Sequence, residues 1–149
     1  MPPAPRPVLF FDGDCTLCRR AVRWLIRRDP RARLRFAELE SPEGRAVRAA
    51  LGKAENLADS LIFVPEWSRR IEGPWHLRAD GALRALALLE GTNWMVRALR
   101  LLPPAWLNAG YRGVAALRRR REDARTAFPF APGEAARILS APNPPPPRP

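Results

Sequence analysis

Residues 8–28 read VLFFDGDCTLCRRAVRWLIRR, and this segment decides the fold. Its first four residues form an apolar run of strand length, and the Asp12-Gly13-Asp14 sequence that follows is typical of a turn. From residue 16 to residue 28, apolar side chains recur on one face of a helix and arginines on the other, until Pro30 ends the pattern. The segment therefore predicts a strand, a turn and a helix, with a Cys-x-x-Cys motif where the helix begins.

The rest of the chain continues to alternate strand-like and helix-like patterns. Ser41 before Pro42 is a strong helix start, because serine caps the first turn and proline suits its first position. The expected order is β-α-β-α-β-β-α, followed by further helices. The predicted strands are 8–11, 34–39, 60–64 and a hairpin return within 69–77, and the predicted helices are 16–28, 41–52, 80–90, 94–121 with a break at Pro103-Pro104, and 132–139.

Length and composition indicate one globular domain. The chain has 149 residues, of which 46% are hydrophobic and 28% charged, as expected of a domain with its own core. Prolines concentrate at both ends, so we expect a proline-rich tail at 1–7, one domain over 8–140 with C-terminal helices from about 94, and a disordered tail at 141–149. No apolar run approaches the ~18 residues that span a bilayer, and no secretory signal precedes the first strand. The cytoplasm is the expected compartment.

The net charge of +11 raises the question of an anionic partner, either a membrane surface or nucleic acid. Apolar and aromatic residues recur at helical spacing over 94–121 with arginines between them, as in helices that lie on such surfaces. Nearly all the basic residues are arginine, however, which is a bias that a GC-rich genome produces. We therefore favour the interpretation in which the apolar stripe covers the sheet and the arginines form a solvated face.

The two cysteines indicate chemistry rather than a structural crosslink. Cys15 and Cys18 are the only cysteines, and a disulfide between residues three apart removes little chain entropy. On a helix, residues three apart share a face, so the two sulfurs can meet. Cys15 would lie at the helix start, where backbone N–H groups and the helix dipole stabilise a thiolate.

The expected reaction is dithiol–disulfide exchange. Cys15, as the exposed N-terminal member, would attack a substrate disulfide, and Cys18, one turn deeper, would resolve the mixed disulfide. Asp12 is expected to exchange protons with Cys18. Positive charge on Arg19 and Arg20 would favour a thiolate, whereas Asp12 and Asp14 in the turn before Cys15 would disfavour one.

These residues also resemble a known family. Asp12, Cys15 and Cys18 at the end of a strand, followed by a basic amphipathic helix, are similar to the D-x-x-C-x-x-C motif of the DCC family of thiol-disulfide oxidoreductases. Further similarities within residues 8–121 are Ser41-Pro42-Glu43-Gly44, Leu102-Pro103, Tyr111 and Arg118.

The resemblance implies a thioredoxin-like α/β domain of three layers, with a small central sheet and a helical C-terminal extension. It implies exchange at Cys15 and Cys18, assisted by Asp12, on disulfides of proteins or small molecules. No metal or organic cofactor is implied, and an external reductant would recycle the pair. The chain departs from the pattern where the third helix opens with Ala79-Asp80-Gly81 in place of Ser-Asp-Ala. Residues 58–61 also hold no proline where thioredoxins place a cis-proline before the third strand.

A phosphatase is an alternative in another class. Residues 9–17 also resemble the first motif of haloacid-dehalogenase-type phosphatases, in which Asp12 would be the nucleophile, Asp14 the general acid and Mg²⁺ the bridge to phosphate. Cys15 stands where that motif has glycine. Lys53 is the only candidate for the phosphate-binding lysine, and no late strand ends in paired acidic residues.

Two further alternatives concern the thiols themselves. Cys15 and Cys18 could hold zinc together with His76 and an aspartate, but tetrahedral zinc takes four ligands and the chain has no second cysteine pair. They could also be reduced thiols without a role. His76 is expected to be a packed or surface histidine.

Overall fold

The computed structural model describes residues 7–52, 61–117 and 124–139. In these ranges, strands and helices follow the predicted order as far as the third helix, and four more helices follow. A 3-10 turn, Trp67–Arg69, lies between the third and fourth strands. The elements are β1 (Val8–Phe11), α1 (Thr16–Arg27), β2 (Arg35–Glu38), α2 (Pro42–Leu51), β3 (Ile62–Val64), β4 (His76–Leu77), α3 (Arg78–Ala87), α4 (Asn93–Arg100), α5 (Pro104–Ala116), α6 (Ala124–Ala127) and α7 (Pro132–Ala135).

The strand β1 lies inside a four-stranded sheet with the order β2-β1-β3-β4. It runs parallel to β2 and antiparallel to β3, and β4 pairs antiparallel with β3. All four side chains of β1 are buried. Leu9 and Phe11 point to one face and Val8 and Phe10 to the other, because successive side chains of a strand alternate between faces. The apolar run at 8–11 is therefore a central strand covered on both sides.

Helices cover both faces of the sheet and make three layers. The helices α1 and α3 pack on one face through Val22 and Ala85, and α2 packs on the other through Val47. The predicted mixed α/β architecture with a small central sheet is confirmed.

The helix α2 has the predicted start and end. Ser41 Oγ accepts a hydrogen bond from the Gly44 N–H at 3.1 Å, and Pro42 lies in the first turn. A Cβ at Gly44 would lie 2.4 Å from the Leu39 carbonyl oxygen, so glycine lets α2 begin close to β2. Gly52 ends the helix with a φ of +80°, a conformation that favours glycine.

The C-terminal segment, residues 124–139, returns to α1 and to the edge of the sheet. Ile138 forms a parallel bridge with Phe36 of β2. Arg137 pairs with the buried carboxylate of Asp29, which also accepts two backbone N–H groups from the loop before β2. The short helix α7 was predicted, whereas α6 and the bridge were not. Both bring together residues about a hundred positions apart, which a local pattern does not reveal.

The predicted hairpin return over 69–77 is mostly wrong. Only His76–Leu77 pairs with β3, and the stretch before it forms a loop with a cis peptide bond at Gly73–Pro74. Trp67 and Trp75 from this stretch pack against the core cluster under α2. These residues therefore contribute side chains to the core instead of pairing as a strand.

The interpretation that the apolar stripe of α4 and α5 covers the sheet is also mostly wrong. Both helices pack on α3, and α3 itself packs on β3 and β4. Because α3 occupies that position on the sheet, the later helices leave large side chains in solvent. The exposed fractions of Trp94, Leu101 and Trp106 are 73%, 86% and 68%. Within the described ranges, no helix is both long and apolar enough to cross a bilayer.

Parts of several predictions lie outside the described residues. They are the N-terminal tail up to residue 6, the first residue of the predicted strand 60–64, the end of the predicted helix at 118–121, residue 140 at the end of the predicted domain, and the proline-rich tail from 141 onward. The proposed domain boundaries stay predictions.

Candidate functional site

A tight turn at the end of β1 carries the first site residue. Asp12 is 4% exposed, and its Oδ1 accepts a hydrogen bond from the Asp14 N–H at 3.0 Å. The Cys15 N–H donates to the Asp12 carbonyl oxygen at 3.3 Å. These two bonds form the turn that was predicted for Asp12-Gly13-Asp14. The turn connects the central strand β1 directly to α1.

Cys15 is the N-cap of α1, which agrees with its predicted position at the helix start. It has an extended backbone, with φ −99° and ψ 117°, and its Sγ accepts a hydrogen bond from the Cys18 N–H at 3.3 Å. A capping side chain satisfies one of the N–H groups that a helix start leaves without a partner. The sulfur of Cys15 is thus a hydrogen-bond acceptor at the positive end of the helix dipole.

The exposure of the two cysteines is the reverse of the prediction. Cys15 is completely buried at 0% exposure, whereas Cys18 is partly exposed. The cap explains the difference, because it turns the Cys15 side chain back onto the first turn of the helix. Cys18 lies one turn further along, where it packs against the core and lines a cavity. Both cysteines carry thiols rather than a disulfide.

The cavity beside Cys18 has a volume of about 100 Å³ and lies between α1 and α5, next to β1. Among the described residues, its wall is hydrocarbon apart from Asp12 and Cys18, and it includes Leu61 and Val114. The Leu61 N–H donates to the Tyr111 hydroxyl at 3.2 Å, which holds α5 beside the start of β3. Sequence reasoning missed this cavity because four separate parts of the chain supply its lining.

Arg19 is buried, although the helical pattern of α1 predicted that its arginines face solvent. It is 6% exposed, and it donates to the carbonyl oxygens of Phe128 at 2.9 Å and Gly13 at 3.3 Å. Its guanidinium also lies 4.3 Å from the centre of the Phe130 ring. The exposed Arg20 stacks over Phe128 at 4.3 Å. The buried guanidinium therefore joins the turn before the cysteines to the C-terminal segment.

His76 lies in β4, where Nδ1 is 2.7 Å from Asp80 Oδ2. Burial works to raise the pKa of Asp80, but hydrogen bonds from His76 and Arg84 outweigh it, so this pKa lies below its ordinary value. The prediction of a packed histidine is confirmed by its contact with the ring of Phe63. In the described part of the chain, no three His, Cys, Asp or Glu side chains are grouped as a metal site would need.

The phosphatase motif is only partly represented in the described ranges. Asp12 and Asp14 are neighbours, but Asp12 is nearly buried and bonded to the turn. Lys53 lies outside the described residues.

Known proteins identify the family of this chain. The family model of DCC1-like thiol-disulfide oxidoreductases matches residues 9–123. The uncharacterized protein YuxK of Bacillus subtilis (strain 168) is 33% identical over 85 residues, which cover 49% of this chain and 62% of YuxK. A chloroplastic DCC family protein of Arabidopsis thaliana is 32% identical over 59 residues, covering 40% of this chain and 34% of that protein. This chain thus spans less than two thirds of either relative, and no solved structure matches it.

The family match and the geometry of the site both agree with the resemblance to the DCC family that the sequence shows. Residues 9–123 include the turn at Asp12, both cysteines and all of the four-stranded sheet except Val8. Helices on both faces of that mixed sheet are consistent with the thioredoxin-like fold of the family, and this fold prediction is confirmed. Membership of this family does not favour a phosphatase. Nor does it favour a non-enzymatic protein that binds a membrane surface or nucleic acid through its basic helices. The chain belongs to the DCC1-like thiol-disulfide oxidoreductase family.

Proposed function

We propose that this protein is an enzyme that exchanges disulfides of proteins or small molecules with a dithiol formed by Cys15 and Cys18. The observation that carries the proposal is the hydrogen bond from the Cys18 N–H to Cys15 Sγ at 3.3 Å. It places one sulfur within contact of the other cysteine's backbone and at a helix start, where an anion is stabilised. A pair in this arrangement can alternate between dithiol and disulfide with little movement of the chain.

Asp12 supports the proposal as the proton-exchanging group. It is a nearly buried carboxyl group that lines the same cavity as Cys18, so protons could pass between the two without crossing the hydrocarbon wall. Asparagine in its place would keep the oxygen that accepts the Asp14 N–H and remove only the acid–base function. We expect Asp12→Asn to lower the rate of disulfide reduction by roughly 10²-fold without loss of the turn.

A redox titration of the pair tests the proposed function. Protein equilibrated at defined potentials is alkylated, and the mass shift reports the fraction of Cys15 and Cys18 in disulfide form. We expect an intramolecular disulfide with a midpoint of about −200 to −300 mV, the range of cellular disulfide reductases. Cys15→Ser and Cys18→Ser are the matched controls and should show no such transition. A wild-type protein that never forms the bond would contradict the proposal.

Turnover needs a reductant that this chain does not contain, because each cycle leaves an oxidised pair. An external dithiol or small thiol would restore it. We place the reaction in a reducing compartment such as the cytoplasm, where catalytic thiols are kept reduced.

A further inference from the structure

The two sulfurs of the pair differ in how accessible they are to a substrate. Cys15 has no exposed surface and its Sγ is turned toward the first turn of α1. Cys18 is partly exposed and forms part of the cavity wall. A disulfide arriving from solvent therefore meets the sulfur of Cys18 before that of Cys15.

The cavity at Cys18 also has a definite chemical character. Apart from Cys18 and Asp12, the described residues that line it are all apolar, with Leu9 and Phe11 of β1 on one wall. Its rim is apolar as well, since Leu17 of α1 is 38% exposed. Such a surface gains free energy by covering a hydrocarbon group and loses it by covering a charged one.

Its dimensions limit the group that fits. A volume of about 100 Å³ is smaller than the ~150 Å³ cavity in which benzene is known to bind. It suits one branched aliphatic group rather than an aromatic ring system. Val114 at the rim is 50% exposed, so the cavity is open to a group that remains attached to a larger molecule.

We propose that Cys18 is the sulfur that forms the mixed disulfide, and that the cavity beside it receives an aliphatic group adjacent to the disulfide of the substrate. This inference rests on the proposed function and names its substrate class. The preferred substrates are disulfides whose retained half carries an uncharged, branched hydrocarbon group. Disulfides flanked by charged groups, as in glutathione-like molecules, are poor substrates.

The exchange balances in two steps. The Cys18 thiolate, its proton transferred to the Asp12 carboxylate, attacks one sulfur of the substrate; a Cys18–substrate S–S bond forms, and the other half leaves as a thiolate that takes up a proton. Cys15 then gives up its thiol proton and attacks Cys18 Sγ. The Cys15–Cys18 disulfide forms, and the second half leaves as a thiolate that takes up this proton and becomes a thiol. Two electrons and two protons pass from the dithiol to the substrate, so the protein is oxidised and the substrate disulfide is reduced to two thiols.

The order of attack is tested by trapping. Reduced Cys15→Ser and Cys18→Ser variants are mixed with isobutyl 2-pyridyl disulfide, which releases light-absorbing pyridine-2-thione when the alkylthio half is transferred. Serine at position 15 remains a good helix cap. We expect Cys15→Ser to release the thione and to carry an isobutylthio adduct on Cys18 by mass spectrometry. We expect Cys18→Ser to react at least ~10-fold more slowly, because its only sulfur is buried.

The cavity is tested by comparing two reagents on the wild-type dithiol. Isobutyl and 2-carboxyethyl 2-pyridyl disulfides share a leaving group, and their rates are divided by those measured with a free model thiol. We expect a normalised preference of ~10-fold or more for the isobutyl reagent. Val114→Arg, which brings charge to the rim, should abolish the preference. Leu117→Arg is the matched control, because Leu117 is 74% exposed and does not line the cavity.

Each outcome decides something. Adduct formation in Cys18→Ser but not in Cys15→Ser would overturn the inference while leaving the exchange reaction intact. So would a normalised rate ratio near one, or a preference that survives Val114→Arg. A wild-type protein that reduces neither reagent and forms no Cys15–Cys18 disulfide in the redox titration would overturn the proposed function itself.

Discussion

Replacement of Arg19 by methionine tests whether the buried guanidinium holds the turn before the cysteines. Methionine keeps most of the aliphatic stem but removes the bonds to the Phe128 and Gly13 carbonyls. A hydrogen bond from a charged donor contributes ~1.5–3 kcal/mol, and a guanidinium over a ring such as that of Phe130 adds ~0.5–2 kcal/mol. The Glu38 contact at 3.5 Å is too long to add much. Burying a guanidinium costs free energy that methionine avoids, which offsets part of the combined ~3.5 kcal/mol or more from the two bonds and the ring contact. We therefore expect the free energy of unfolding to fall by about 3 kcal/mol.

Arg20→Met is the matched control for this change. Arg20 also lies 4.3 Å from the centre of a phenylalanine ring in the C-terminal segment, but it is exposed. Exposed contacts of this kind contribute ~0.5–1 kcal/mol, so the control should lose no more than that. Urea denaturation followed by tryptophan fluorescence measures both variants. With an m-value of ~2 kcal/mol per molar urea, the midpoint of Arg19→Met should fall by ~1.5 M.

The reasoning would be refuted by equal losses in the two variants. It would also be refuted if Arg19→Met lost less than ~1 kcal/mol, which is the effect of an average substitution. Either result would mean that the buried carbonyls of Gly13 and Phe128 find other donors at no cost. An unchanged m-value is needed for the comparison, since it shows that the same surface unfolds in all three proteins.

Three further changes probe other parts of the fold. Gly44→Ala should lower the free energy of unfolding by ~1–3 kcal/mol, because its Cβ would meet backbone carbonyl oxygens at 2.4 and 2.5 Å; Gly133→Ala, which has nothing within 4 Å, is the control in the same thermal melts. Asp80→Asn should cost stability near neutral pH and less at about pH 3. The pKa of Asp80 is lowered from 3.8, so its carboxylate stabilises the folded state above that pH and loses this effect as the pH falls. A stability difference between Asp80→Asn and wild type that does not change with pH would contradict this prediction. Trp106→Ala should change the free energy of unfolding in urea by no more than ~0.5 kcal/mol, because this side chain is 68% exposed. A large loss would show that it packs against the domain.

The sequence alone predicts the site's place in the fold well, because that place depends on local patterns. Four successive apolar residues at 8–11 indicate a strand, and the structure adds that it is buried on both faces. The helical period of residues 16–28 indicates α1, and the turn sequence before it places Cys15 at its start. Each of these interpretations needs only residues within about one element, and the structure confirms each of them.

The burial of individual site residues could not be predicted in the same way. The helical pattern treats every arginine of α1 as solvent-facing, but Arg19 finds carbonyl partners from two distant parts of the chain. The exposure of Cys15 likewise depends on which way the capping side chain turns. The stripe on α4 and α5 has the correct helical period, yet the period does not say that α3 occupies the sheet beneath it. Tertiary packing decides these points, and only coordinates reveal it.

The bond between Arg19 and Phe128 has a consequence for protein synthesis. The two residues are 109 positions apart, so the ribosome makes the motif long before it makes the carbonyl that holds the neighbouring arginine. At ordinary translation speeds, this interval lasts roughly 5–20 s. During that time the cysteine motif exists without the hydrogen bond between Arg19 and Phe128. Both thiols then depend on the reducing power of their surroundings to avoid oxidation until the C-terminal segment has been made.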